Sequence, residues 1–184
     1  MRRSLMVAAI VAAGVLLSAT TASASSVHLK GGRNAEPTFT DGGLTLRATG
    51  ELSGLGNGDV LVTMSATADV TATCTNPGSG GTQPPGQNPA PITVTGSQAI
   101  PASEIKNGNT PFNVVTVAPP SVIPGAPGCP NTQWIETITD LAFNSATITV
   151  EQPPGTLVLT VSCTISPSSA NGGVPAGSVS CSQS

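Results

Sequence analysis

The stretch DVLVTMSATADVTATC, residues 59–74, alternates between apolar and polar side chains along its whole length. Every even-numbered position is apolar, and every odd-numbered position except Leu61 is polar. Because successive side chains of a β-strand point to opposite faces of a sheet, this pattern predicts a strand with one buried and one solvated face. The thiol of Cys74 lies in the buried register. The stretch therefore indicates the class of the fold, but it carries no chemistry of its own.

The length of this stretch predicts that it is not straight. Sixteen residues of extended chain would measure about 53 Å, whereas a compact domain of 160 residues (25–184) has a diameter of about 40 Å. Its alternation never slips, which disfavours a one-residue bulge within it. We therefore predict that the strand coils or bends around residues 65–68, either within one sheet or by crossing between two.

Shorter alternating runs recur through the rest of the chain, at residues 44–49, 92–95, 112–117, 134–139, 141–150, 157–165 and 179–181. Between Phe143 and Ala146 the apolar phase shifts by one residue, which predicts a β-bulge near Asn144 and Ser145. We predict an all-β fold: an antiparallel β-sandwich, immunoglobulin-like in the broad sense, with about eight strands and two disulfides. A closed barrel is the alternative architecture, and the order of the strands stays open.

The first 24 residues have the pattern of a signal peptide. Arg2 and Arg3 precede an apolar run at 5–17, and a small-residue cleavage pattern ends at Ala24. The run has about 13 residues, too few to span a hydrocarbon core of about 30 Å. The sequence therefore predicts cleavage between Ala24 and Ser25, export, and no transmembrane anchor after processing.

The mature chain divides into an arm and a domain. Residues 25–40 show no sustained periodicity, which predicts a flexible N-terminal arm. Residues 41–184 are predicted to form a single β-sandwich domain. Two segments rich in proline and glycine, 75–91 and 118–130, are predicted to be long loops of that domain.

The four cysteines, Cys74, Cys129, Cys163 and Cys181, all follow the predicted signal peptide. An even number of cysteines in an exported chain predicts two disulfides, and no pair has the spacing of a zinc site. Three pairings are possible. Cys163 and Cys181 lie in strand-like runs joined by a turn-rich segment, which favours a local bridge and leaves Cys74 to pair with Cys129.

The charge of the mature chain argues against a nucleic-acid partner. Four basic side chains face nine acidic ones after residue 24, for a net charge of −5, whereas phosphate binding needs a basic face. Charged residues make up only 8% of the chain, so serine and threonine supply most of its polarity. Such a surface forms hydrogen bonds but is weakly charged, as suits an extracellular or wall-facing protein.

The inventory of catalytic side chains is small. His28 is the sole histidine and falls in the predicted arm, so a nucleophile–histidine arrangement is disfavoured. Four carboxyl groups could in principle form an acid–base pair, but no spacing singles out two of them. They are Glu104, Glu136, Asp140 and Glu151. The sequence assigns no catalytic residue and predicts that the protein is not an enzyme.

Metal and sugar sites are also weakly indicated. Two loops offer oxygen ligands for calcium, but their residues are more simply turn formers; they are Asn57 and Asp59 in one loop and Asn107 and Asn109 in the other. The four aromatic residues are Phe39, Phe112, Trp134 and Phe143. At least two are expected in the core, and Trp134 is expected to pack near the Cys129 bridge, which leaves little for a sugar-stacking surface. The sequence thus assigns no cofactor-binding or metal-ligating residue and no cofactor.

The segments CTNPG (74–78), PPGQNP (84–89) and TVEQPPG (149–155), behind an alanine-rich signal, resemble small secreted actinobacterial proteins of unassigned function. The resemblance covers most of the mature chain and implies an exported, disulfide-containing β-domain. It brings no activity and no site residues. A more distant likeness, in build only, is to the acidic apoproteins that carry enediyne antibiotics, which are exported sandwiches with two disulfides.

Three functions remain in order of preference. The first is a secreted, non-enzymatic extracellular or envelope-associated protein that binds or has a structural role, with a cell-wall polymer or another secreted protein as partner. The second is a carrier of a small hydrophobic ligand in a sandwich cleft. The third is a secreted hydrolase. Wall-polymer recognition through serine, threonine and asparagine is compatible with the first.

The signal-peptide pattern predicts the N-terminus of the exported protein. Sequencing of the protein recovered from culture medium should begin at Ser25 with SSVHLKGG, because the small residues at 22 and 24 suit signal peptidase. A chain that keeps residues 1–24 and stays in the membrane fraction would contradict the prediction.

Overall fold

The computed structural model describes residues 26–78 and 89–184, and these residues form two antiparallel β-sheets. The first sheet consists of β1 (His28–Leu29), β2 (Thr38–Asp41), β3 (Leu46–Ser53), β6 (Thr110–Val115) and β10 (Gly172–Gly173). The second consists of β4 (Val60–Thr75), β5 (Ile92–Ile100), β7 (Val122–Ile123), β8 (Ile135–Glu151), β9 (Leu157–Ile165) and β11 (Val179–Gln183). Two short 3-10 turns occupy Ala102–Glu104 and Ala176–Ser178.

The predicted all-β class, with two disulfides, is confirmed. The described residues contain eleven strands, against about eight expected from the sequence. Three of them, β1, β7 and β10, have two residues each, which is too short to produce a recognisable alternation. In the first sheet β3 pairs with β1, β2 and β6; in the second the order is β11-β9-β8-β4-β5, with β7 paired to β8.

Strand β4, Val60–Thr75, begins and ends one residue later than the predicted stretch at 59–74. Its side chains alternate between buried and more exposed positions over all 16 residues. It pairs with β8 from Leu61 to Thr75 and with β5 from Val60 to Ala68. Because both partners belong to the second sheet, β4 stays within one sheet and does not cross to the other.

The irregularities of the sheet centre lie in β8, the partner of β4. The register between the two strands shifts at Thr67/Ala68, where Asn144 is the extra residue, and at Thr71/Ala72, where Thr139 is the extra residue. The bulge predicted near Asn144 is confirmed, and the one at Thr139 was not predicted. Bulges increase the local twist of a strand pair, and the first of them falls within the segment 65–68 where the sequence predicts a bend.

The two sheets bury their inner faces in one apolar core, a β-sandwich-like arrangement. Phe39 and Leu46 come from the first sheet, and Phe143 and Ile148 from the second; all four have no exposed surface. Inward positions follow the alternation of each strand, so the same pattern that predicts the strands also supplies the core.

The segment assigned to a flexible arm lies instead against the body of the protein. β1 pairs with the end of β3, β2 pairs with its beginning, and Phe39 is fully buried. The strands are only two and four residues long and flank a turn in which Gly31 and Gly32 have φ of 108° and 93°. Such short pieces show no sustained period, which is why the sequence suggested an arm.

Some predictions concern residues outside the described part of the chain. The signal peptide, 1–24, and its cleavage site at Ala24 and Ser25 lie there, as do residues 79–88 of the loop predicted at 75–91. The second predicted loop, 118–130, is described and contains β7.

The two disulfides join Cys74 to Cys129 and Cys163 to Cys181. Cys163 and Cys181 are directly opposite each other on β9 and β11, so this bridge links two neighbouring strands of one sheet. Cys74, near the end of β4, ties the loop before β8 to the sheet. The sequence separations are 18 and 55 residues, and closing loops of this length stabilises a fold by about 3–4 kcal/mol.

Both outer strands of the second sheet are covered by other parts of the chain. Beside β5, the backbone N–H of Val117 donates to the carbonyl oxygen of Thr95 (2.8 Å). Beside β11, the side-chain oxygen of Gln183 accepts from the backbone N–H of Leu29 (2.9 Å). Covered edges protect a sheet from pairing with other chains.

A buried polar network connects the two sheets. The hydroxyl of Ser169 donates to the carboxylate of Asp41, at the end of β2, and accepts from the backbone N–H of Phe143, in β8 (2.8 Å). The other carboxylate oxygen of Asp41 accepts from the backbone N–H of Gly43 (2.8 Å). Both Asp41 and Ser169 are buried, so each group of the network depends on the others for its hydrogen bonds.

We expect Ser169→Ala to lower the free energy of unfolding by about 1–3 kcal/mol, because it leaves a buried carboxylate oxygen and a buried N–H without their partner. Chemical denaturation with disulfides intact measures the change. The matched control is Ser168→Ala, at an exposed position, for which a change within about 0.5 kcal/mol is expected. Equal effects of the two substitutions would contradict the role given to the network.

Gly96 allows the two sheets to approach closely beside β5. A Cβ atom at Gly96 would lie 1.9 Å from the carbonyl oxygen of Val115, the last residue of β6. That neighbour is backbone and cannot rotate away, so only glycine fits at this position.

We therefore expect Gly96→Ala to destabilise the protein by more than about 2 kcal/mol, in the upper part of the range for single substitutions. Gly177→Ala is the control, because a Cβ there meets nothing within 4 Å and the backbone has no positive φ. Thermal unfolding of both variants gives the comparison, and a Gly96→Ala protein as stable as the Gly177→Ala protein would show that the sheets are not in close contact there.

Candidate functional site

The outer face of the second sheet carries serine and threonine in three rows of five. We call these fifteen residues the hydroxyl face. The rows are Thr93, Thr67, Ser145, Thr164 and Ser180; Thr95, Ser65, Thr147, Ser162 and Ser182; and Ser97, Thr63, Thr149, Thr160 and Ser184. Each row runs across β5, β4, β8 and β9. It ends in β11 for the first two rows and at Ser184, directly after β11, for the third. None of the fifteen residues is buried.

The rows arise from strand register and alternation together. Each strand contributes every second residue to the outer face, and the pairing places these residues directly opposite one another. Neighbouring strands are about 4.8 Å apart, and alternate residues of one strand about 6.6 Å apart. The hydroxyl groups therefore repeat in two directions over an area of about 19 by 13 Å.

The chemistry of the hydroxyl face is uniform. Each hydroxyl group can donate one hydrogen bond and accept others, and none of the fifteen side chains carries a charge. Four of these hydroxyl groups bond within the described part of the chain: those of Thr67 and Thr93 to each other, and those of Ser145 and Thr164 to neighbouring oxygens. Over β8, β9 and β11 the face forms a shallow depression of about 450 Å³.

A second feature, which we call the cleft, opens near the end of the second sheet that holds the Cys74–Cys129 bridge. Its volume is about 480 Å³, within the usual range of ligand sites. The residues that line it include Val70, Ile92, Ile123, Pro127, Glu136 and Ile138. All but one of these are apolar, and none is aromatic.

Among the described residues that line the cleft, Glu136 has the one polar side chain. It is 1% exposed. Its Oε2 accepts a hydrogen bond from the backbone N–H of Gly128 (3.0 Å), whereas its Oε1 finds no hydrogen-bond partner in residues 26–78 and 89–184. A buried oxygen atom of this kind costs free energy unless a donor reaches it.

Each residue considered for catalysis has its own local surroundings. His28 bonds through its ring to the carbonyl of Ser26 (2.6 Å). Glu151 accepts from the backbone of the turn that follows it (2.7 Å to Gly155), and Asp140 accepts from Asn171 (3.3 Å). Glu104 lies exposed in the first 3-10 turn, and Glu136 lines the cleft. The burial of Glu136 and the register of the hydroxyl rows were not predicted.

Three of the residues considered for calcium take part in turns or in contacts between loops. The carboxylate of Asp59 accepts from the backbone N–H of Ala102 (2.8 Å), and Asn109 accepts from Ser53 (2.6 Å). Asn107 has φ of 52°, the left-handed conformation expected of a turn residue. Within the described residues, no three histidine, cysteine or acidic side chains lie together as metal ligands do.

The aromatic side chains are distributed largely as expected. Phe39, Phe112 and Phe143 are buried in the core, and Trp134 is half-buried just before β8. None of the four belongs to the hydroxyl face. Any recognition by that face therefore relies on hydrogen bonds and on the threonine methyl groups, without ring stacking.

Comparison with known proteins adds no family: no protein-family model, curated protein or solved structure matches the chain. None of the described residues forms a helix of the length and apolarity that crossing a bilayer requires. The functional interpretation consequently depends on the two sites themselves.

Proposed function

We propose that the protein is exported and acts without catalysis, by binding an uncharged, hydroxyl-rich polymer of the cell envelope through the hydroxyl face. The single observation that carries this proposal is the alignment of fifteen serine and threonine residues in three uncharged rows. Such a face offers many equivalent weak hydrogen bonds. Once one of these bonds forms along a repeating polymer, the next ones form within the same complex. Many weak hydrogen bonds can therefore give a useful affinity together.

The proposed location has independent support. The two disulfides are compatible with an extracellular protein. The signal-peptide pattern and the resemblance to small secreted actinobacterial proteins favour the same location. We also assign the sandwich-like fold to the immunoglobulin-like class in the broad sense, on the grounds of two antiparallel sheets that share one core.

The shape of the face favours a flexible polymer over a planar crystal. Neighbouring strands of a sheet are rotated by about 20–25°, so five strands accumulate about 80–100°. A flexible polysaccharide chain can follow such a surface, whereas a flat lattice could match only two or three strands. The lack of charge on the face favours a neutral polymer, because acidic or basic groups would find no partner there.

The decisive experiment is cosedimentation with insoluble wall polysaccharide. Removing three central hydroxyl groups with Ser65→Ala, Thr147→Val and Ser162→Ala should reduce the bound fraction at least about tenfold, since each neutral hydrogen bond contributes about 0.5–1.5 kcal/mol. Binding by the unaltered protein should persist in 1 M salt, because no charged group is involved.

The matched control places equivalent changes on the other sheet. Thr38→Val and Thr40→Val alter exposed threonines of β2 and should leave binding unchanged. Two results would contradict the proposal: equal loss of binding in the control, or release by salt. Hydrolysis of the polymer by the unaltered protein would contradict its non-enzymatic character.

A further inference from the structure

The cleft faces away from the hydroxyl face, because the side chains that line it belong to the inner register of the second sheet. Val70, Glu136 and Ile138 are all inward positions of β4 and β8. A molecule in the cleft would therefore not compete with one on the outer face. Binding at the two places can be tested separately.

The cleft combines an apolar wall with one polar group that lacks a partner. Val70 and Ile138 are buried, and Ile92 and Ile123 are partly buried against the core, so their exposed surface forms an aliphatic wall. Oε1 of Glu136 has no hydrogen-bond partner among the described residues. In the described part of the chain no lysine or arginine lines the cleft, so the carboxyl group has no neighbouring cation of the protein.

The position of the carboxyl group is set by its surroundings. Cys74 is directly opposite Glu136 on β4, and its disulfide to Cys129 holds the loop that contains Gly128. The backbone N–H of Gly128 then holds Oε2 of Glu136. On the opposite side Ile123 of β7 pairs with Glu136. The carboxyl group is thus held by one oxygen while the other is free to accept a donor, the preorganisation that favours binding.

We propose that the cleft binds a compact aliphatic amine, with the apolar body against Val70, Ile92, Ile123 and Ile138 and the ammonium group donating to Glu136. An ammonium group supplies both the missing N–H donor and a positive charge, and charge-assisted hydrogen bonds are about twice as strong as neutral ones. Burial of the apolar body contributes in proportion to the area removed from water. The cleft has room for a small cage or ring but no aromatic wall for a flat ring system.

Three probes of the same shape test the proposal: 1-adamantylamine, 1-adamantanol and 1-adamantanecarboxylate. Each is titrated by calorimetry into the purified, disulfide-bonded protein, and isoleucine methyl resonances report whether it reaches Ile123 and Ile138. We expect the amine to bind most tightly, the alcohol more weakly and the carboxylate least, because it would meet the carboxyl group of Glu136.

The substitution Glu136→Gln keeps the shape of the side chain and removes its capacity for negative charge. It should weaken binding of the amine at least about tenfold while changing the affinity for the alcohol little. Glu104→Gln is the matched control, since Glu104 is an exposed carboxylate in the first 3-10 turn, and it should alter neither affinity.

A second variant keeps the proposal testable if Glu136→Gln does not fold. Ile123→Trp fills part of the cleft without replacing the carboxyl group and should abolish binding of all three probes. The proposal is overturned if no probe shifts the methyl resonances of Ile123 and Ile138. It is also overturned if the amine binds Glu136→Gln as tightly as the unaltered protein, or if Glu104→Gln weakens it equally. In each of those cases Glu136 has a structural role only.

Discussion

The pairing of β4 with β8 is the constraint on which the rest of the structure depends. These strands have 16 and 17 residues, and they form the centre of the second sheet. Their register decides which side chains enter the core and which form the hydroxyl face. Because a slip of one residue would exchange the two faces, the apolar alternation of β4 and the bulges of β8 must agree along the whole pair.

The same pairing explains how such long strands fit into a small body. A regular ladder of this length would extend beyond the core that it has to cover. The extra residues Asn144 and Thr139 interrupt the ladder at two points, and each bulge raises the local twist. Both lie in β8, so β4 keeps an unbroken alternation while its partner adapts. This division of roles is why β4 is so plain in the sequence and β8 is less so.

What could be predicted from the sequence was local. The period of two predicted the all-β class, the strand β4 and the bulge near Asn144, because each depends only on neighbouring residues. The hydroxyl rows could not be predicted, since a row joins five strands whose order and register are set by tertiary packing. In the predicted arm, 25–40, the short strands could not be recognised for a similar reason: β1 and β2 are strands only because β3 pairs with them.

The sequence around Glu136 does contain a strand pattern, but the pattern allows two phases. Glu136 shares the phase of Trp134 and Ile138, so a strand over these residues could place it with the apolar side chains. Continued back from Leu141 and Phe143, however, the same strand would place Ile135 and Thr137 inward and Glu136 outward. Only the second bulge decides between the two phases, and nothing in the residues around Thr139 marks a bulge.

That bulge has a cost that the fold alone does not explain. With the register of Leu141 and Phe143 continued, β8 would bury Ile135 and expose Glu136. The structure does the reverse: Ile135 is 44% exposed and Glu136 is 1% exposed. The bulge also turns Ile138 inward, so one isoleucine replaces another in the core. The unfavourable change for stability is the burial of a carboxyl group with one oxygen unpaired among the described residues. Bulges are frequent beside binding sites because they redirect a side chain. Here the redirected side chain is the one polar side chain among the described residues that line the cleft. We therefore relate this bulge to the proposed binding at the cleft rather than to the stability of the fold.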